Sequence, residues 1–150
     1  MDLKDVTVVI MSRGRELDLQ KTLDYWAEVE ISVLVLHNTQ NPLLLSKSMP
    51  NLKYVVAQIP YGDRCGMVAQ YLNTKYAILC SDDEIYIPSA LAGMKAILDE
   101  NSGLTSVGGL TVAIGKYGPI TTGNFTYSKM RHYSNQGTTP LDRLNFHFDE

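Results

Sequence analysis

Four short runs of Val, Ile, Leu and Tyr punctuate the first eighty residues: VTVVIM (6–11), ISVLVL (31–36), LKYVVA (52–57) and YAILC (76–80). Their apolarity is nearly continuous rather than alternating, the pattern of strands buried on both faces, as in a parallel sheet. Between them the apolar spacing becomes helical. Leu19, Leu23, Trp26 and Ala27 follow an i, i+4, i+7, i+8 rhythm, which predicts an amphipathic helix over 15–28. Met67, Val68, Tyr71 and Leu72 repeat it behind Asp63, a candidate N-cap, and Leu91, Met94, Ile97 and Leu98 repeat it behind Pro88, a residue suited to a first helical turn. The segment NTQNPLLLSKSMPN (38–51) is compatible with a helix or with a loop containing one turn. Alternating strands and helices imply an α/β layer architecture with right-handed crossovers.

Beyond Asn101 the texture changes. The stretch SGLTSVGGLTVAIGKYGPITTGN is rich in glycine, with Thr/Val alternation that suits short antiparallel strands and turns. Residues 127–150 have no clean period, and Met67 and Met94 read as core. No repeat, low-complexity tract or linker interrupts the 150 residues, so a single domain is expected, long enough to bury roughly 70% of its unfolded surface.

Charge narrows the choice of partners. A net charge of -3 provides no field for a polyanion, so nucleic acid is not expected as a partner. Cys65 and Cys80 show no disulfide-framework spacing, which fits reduced thiols in the core of a cytoplasmic protein. The start MDLKD lacks a basic leader region, and the apolar run Val6 to Met11 is too short for a signal sequence or a transmembrane segment.

In an open α/β sheet, ligands bind beyond the carboxyl ends of the strands, so the residues following each strand are the candidates. The first strand runs into Ser12, Arg13, Gly14 and Arg15, the second into His37, Asn38 and Thr39, and the fourth into Ser81, Asp82, Asp83 and Glu84. Arg64 reaches the same edge from the start of the third crossover. Carboxylates for a cation beside arginines for an anion suggest a metal-bound phosphate ester such as a nucleoside diphosphate. In extended chain, residues i and i+2 point to one side, so Asp82 and Glu84 are expected to converge as a two-carboxylate clamp while Asp83 points away. Hard oxygen ligands suit Mn²⁺ or Mg²⁺, whereas the thiolates and imidazoles zinc prefers are not clustered here. The plainer alternative is a solvated acidic turn favouring the following helix N-terminus; the buried strand upstream and Pro88 downstream argue for a sheet-edge site instead.

The order VTVVIMSRGRELDLQKTLDYW, VLVLHNT and YGDRCGMVAQYLNTKYAILCSDDEIYIPSAL resembles the nucleotide-diphospho-sugar transferases of the GT-A fold, close to glycosyltransferase family 2, from about Val6 to Gly109. The resemblance implies a three-layer α/β/α fold with a mostly parallel sheet, residues 1–109 binding the nucleotide-sugar donor and 110–150 forming a minimal acceptor-side part. Asp82, Asp83 and Glu84 then match the Asp-x-Asp motif, which binds the donor ribose and a divalent ion, with Glu in the last place. Ser12, Arg13 and Arg15 match the loop that holds the nucleoside, and Arg64 matches a basic residue that contacts base or phosphates. Where the family carries an Asp that accepts a hydrogen bond from the base, this chain has His37 and Asn38, each able to present one acceptor.

The implied reaction is inverting transfer from a UDP-sugar-like donor to a saccharide or other hydroxyl, with a carboxylate as base. Asp149, flanked by His147 and Glu150, and Asp142 are the candidates for that carboxylate. Two alternatives accompany this reading: a non-catalytic nucleotide-sugar-binding domain or fragment of a longer transferase, and a sugar nucleotidyltransferase. The loop SRGRE has one glycine, against the glycine-rich phosphate loop of the latter. Tyr127, Arg131, His132 and Tyr133 are candidates for an acceptor pocket but read better as a surface segment of mixed polarity, and the Asn124 sequon carries no weight without a secretory signal.

Overall fold

β1 (Val6–Arg13) is buried from Val6 through Ser12, as its unbroken apolar run requires. It lies in the middle of a four-stranded sheet between β2 (Ser32–Asn38) and β4 (Tyr76–Ser81), with β3 (Leu52–Val56) outside β2. The order β3-β2-β1-β4 is parallel throughout, a Rossmann-like α/β arrangement. This computed structural model describes residues 2–108, 114–115 and 118–119.

Strand periodicity divides the core into two clusters. Val6, Val8 and Ile10 of β1 join Val33 and Val35 of β2 against Leu19, Leu23 and Trp26 of α1 (Glu16–Trp26) and Leu91 of α3 (Pro88–Glu100). Val9, Met11, Leu34 and Leu36 point the other way, with Cys65 of α2 (Tyr61–Met67), Val68 of the following 3-10 turn (Val68–Gln70), Tyr71 and Leu72 packed on them. Each such side chain, fully buried, contributes about 1.5–3 kcal/mol of transfer free energy. A one-residue slip of register would exchange the two faces, so the parallel pairing is strongly specified.

The boundaries differ from the sequence expectations for local reasons. α1 ends at Trp26 rather than residue 28, because the Glu28 amide bonds three residues back to Tyr25 and tightens the last turn. α2 is capped by Pro60, not Asp63: Pro60 has no N–H to satisfy, and Asp63 lies in the first turn, where its charge suits the helix dipole. Residues 39–51 form a loop, in which Thr39 Oγ1 accepts the Asn41 amide and donates to its carbonyl. β4 is a sheet edge among the described residues. Leu79 on it is 48% exposed, so the expectation of burial on both faces fails there.

By internal contacts the chain divides into Met1–Lys95 and Ala96–Glu150. The division falls inside α3. β5 (Ile114–Gly115) and β6 (Gly118–Pro119) pair antiparallel, as the glycine-rich texture suggests. Both cysteines are free; Cys80 is buried, which pushes its thiol up to about 12, and Cys65 is half-buried. Met67 and Met94 are likewise half-buried. Among the described residues no helix is long and apolar enough to cross a membrane.

Candidate functional site

Parallel strands bring all their carboxyl ends to one edge. The chain leaves β1 for β2 and β3 on one side, then returns to place β4 on the other, so strand order reverses at β1. The connections from β1 and β4 thus separate at the point where such sheets open a crevice. Register aligns the edge: Ser12 lies opposite His37, Arg13 opposite Asn38 and Met11 opposite Ser81. Gly14, at φ 66, supplies the left-handed backbone that turns the β1 loop toward α1, a conformation any side chain would strain.

Asp82 organises this edge. It is 0% exposed, and its carboxylate accepts a 2.7 Å hydrogen bond from the Ser12 hydroxyl at Oδ2 and an ion pair from Arg15 Nη2 at Oδ1. The other arm of the same guanidinium, Nη1, donates to Asp83 Oδ2 at 2.7 Å. The Thr22 hydroxyl of α1 donates to the Asp82 carbonyl, also at 2.7 Å. One arginine therefore bridges two adjacent carboxylates that would otherwise repel, with an ion pair to Asp82 and a charge-assisted hydrogen bond to Asp83.

This corrects the clamp expected from alternation. β4 stops at Ser81, and the backbone turns at Asp82 and Asp83, so the i, i+2 rule of extended chain does not apply. Asp82 and Asp83 meet on Arg15, while Glu84 folds back and accepts the Ser81 amide at 2.8 Å. Among the described residues no three His, Cys, Asp or Glu side chains gather into one cluster. With Asp82 sealed from solvent and Glu84 closing its own turn, the donor set does not fit Mn²⁺ or Mg²⁺ in this arrangement.

Arg64 is the second buried ion. It is 3% exposed, and its Nη1 donates to the Ser12 carbonyl at 2.7 Å and the Leu36 carbonyl at 2.9 Å, tying the ends of β1 and β2 together. Among the described residues no carboxylate forms an ion pair with it, and its Nε has no partner. It borders a cleft of about 350 Å³ with Met11, Ser12, Arg13, Arg15, Asn38, Tyr61 and Ser81. Arg13 is exposed there, and the Tyr61 ring lies 5.8 Å from the Arg64 guanidinium carbon.

The cleft does not identify its owner. No protein-family model matches this chain, and no curated protein or solved structure is significantly similar to it.

Of the residues picked from sequence, Ser12, Arg13, Arg15, Asn38 and Arg64 share the cleft, and Asp82 and Asp83 join it through Arg15. His37 does not line it. Its ring is 0% exposed, with Nδ1 hydrogen-bonded to the Tyr54 hydroxyl and Nε2 lying 3.7 Å from Glu16 Oε1 without a hydrogen bond. Asn38, which lines the cleft, donates its side-chain amide to the Ile59 carbonyl at 3.1 Å. Asp142 and Asp149, with His147, Glu150, Asn124, Tyr127, Arg131, His132 and Tyr133, lie outside the described residues. Tyr61 and Thr22 escaped the sequence reading, though each left a signal. Tyr61 opens the helix that follows β3, and Thr22 is a polar residue on the apolar face between Leu19 and Leu23.

Burial is the main force lowering the His37 pKa below its ordinary 6.5, against Glu16 and Asp82, which raise it. The unfolded chain then holds the proton more tightly. Stability contributed by the neutral ring is complete above pH 6.5 and declines as pH falls below it, by at most about 1.4 kcal/mol per pH unit. Urea midpoints between about pH 7.5 and 5.5 are expected to fall more in the wild type than in His37→Gln. A wild type stabilised by acidification relative to that variant would instead mean an imidazolium paired with Glu16.

Proposed function

We propose that this chain binds a nucleoside-diphosphate sugar in the cleft at the carboxyl edge of its sheet, within a three-layer GT-A architecture, and transfers the sugar to a hydroxyl acceptor. The observation that carries the reading is Arg64: a guanidinium 3% exposed, without a carboxylate partner among the described residues, beside a cleft at the strand-order reversal. A buried cation held by carbonyl dipoles and a tyrosine ring is costly, and an anion entering the cleft supplies a counter-charge. A diphosphate meets Arg13 and Arg64 there. The Tyr61 ring offers a flat face for a base, and the Asn38 oxygen accepts from a ring N–H such as that of uracil.

The transfer step rests on the resemblance in residues 6–109. The acceptor oxygen bonds to the anomeric carbon as the bond from that carbon to the diphosphate oxygen breaks. The diphosphate leaves with the electron pair, and a carboxylate, Asp142 or Asp149, takes the acceptor proton. Arginines beside the leaving group offset the charge it gains. A sugar nucleotidyltransferase is the weaker reading, because Gly14 is the one glycine in the Ser12 to Arg15 turn and few backbone amides are freed to cradle a triphosphate.

Thermal unfolding with UDP, GDP, ADP, CDP and their sugar conjugates tests binding. A ligand at a hundredfold its Kd is expected to add about 2.7 kcal/mol, a rise in Tm of about 5–10 °C. Release of free nucleoside diphosphate from the stabilising conjugate, faster with an acceptor present, tests transfer. A panel with no shift rules out the donor site; shifts without turnover leave a binding domain.

A further inference from the structure

We infer that the guanidinium of Arg15 takes the place of a divalent cation at this site, so that the cleft binds a diphosphate without metal. The inference rests on the donor reading above and adds to it the nature of the counter-charge. Three features support it. Arg15 spans Asp82 and Asp83 with separate arms, filling the position between two carboxylates that a bridging ion would occupy. Asp82, the better placed acid, is fully buried with Ser12 on its second oxygen, out of reach of an ion that keeps part of its water shell. Glu84, the third acid, turns one oxygen to the Ser81 amide rather than toward Asp82.

The charge balance agrees. Arg15 is held by two acids, while Arg13 and Arg64 line the same cleft without carboxylate partners among the described residues. Arg13 and Arg64 therefore offer guanidinium groups to an anion before any ion is added. A metal would have to displace Arg15 from a buried carboxylate, leaving a third arginine unmatched beside the other two. The sequence alone points the other way, because an acid triplet after a strand reads as a metal clamp until its turn and its arginine are seen.

Calorimetric titration of the full chain with UDP, GDP, ADP, CDP and inorganic pyrophosphate, each in EDTA and in MnCl₂, decides the matter. The expected result is a Kd in EDTA within about threefold of that in Mn²⁺. Arg15→Ala is expected to lose about tenfold or more in EDTA and to recover part of it in Mn²⁺, because the acids are then exposed and free to take an ion. A general loss of structure would not produce that metal rescue. Should Arg15→Ala fail to fold, the wild-type pair of titrations decides alone. Wild-type binding that requires Mn²⁺ by about tenfold or more overturns the inference and leaves the donor site standing. No binding of any probe in either condition removes the donor reading, and this inference with it.

Discussion

Arg64→Met is expected to weaken nucleoside diphosphate binding by about a hundredfold or more, while the stability of the unliganded chain stays within about 1 kcal/mol of wild type. The two halves of that expectation have different causes. Binding falls because a desolvated cation facing the ligand's phosphates is lost, and truncating one member of such a pair costs about 2–5 kcal/mol. Stability hardly moves because two effects oppose. The Ser12 and Leu36 carbonyls lose a charged donor, at about 1.5–3 kcal/mol each, but a buried charge with no carboxylate partner also disappears, and Met fills similar space with apolar atoms. Arg64→Lys keeps the charge but replaces the planar guanidinium with a point ammonium that cannot pair a phosphate bidentately, so an intermediate loss of about tenfold is expected. Calorimetry and urea unfolding on the three proteins check this. Wild-type affinity in Arg64→Met would reduce the residue to a strut between β1 and β2.

Asp82→Ala is expected to cost about 2–4 kcal/mol of unfolding free energy, the largest effect of the three acids. Removing the carboxylate leaves the buried Ser12 hydroxyl unbonded and releases one arm of Arg15. Asp82→Asn keeps the shape and an acceptor for Ser12 but removes the charge facing Arg15, and about half of that loss is expected. Asp83→Ala and Glu84→Ala fall within about 1 kcal/mol, since both side chains are exposed. Urea denaturation of the four variants gives the ranking. The extended clamp implies a different one, with Asp82 and Glu84 equivalent and Asp83 indifferent; equal losses at Asp82 and Glu84 would mean that the turn at Asp82 and Asp83 does not hold.

That contrast shows where sequence reasoning stops. Reading residues from strand ends located the correct edge, because an apolar run and the polar residue ending it are both local features. Pairing at that edge is another matter. Ser12 and Asp82 are 70 residues apart, Arg15 and Asp83 are 68 apart, and Arg64 reaches the Ser12 carbonyl across 52. No local rule states that the chain turns at Asp82, and that one turn exchanges the partners of all three acids.

The amino-acid sequence alone determined the four strands, the helices between them, the α/β class and the convergence of Ser12, Arg13, Arg15, Asn38 and Arg64 on one edge. Those follow from apolar periodicity and from the common direction of parallel strands. Tertiary structure alone decided that β4 lies at the sheet edge, that His37 turns to Tyr54 and Glu16, and that Arg15 rather than Glu84 completes the acid pair. It also decided that Arg64 is buried without a carboxylate among the described residues. The reason is physical: periodicity reports which way a side chain points relative to its own backbone, whereas burial and ion pairing depend on which distant segment fills the space it points into.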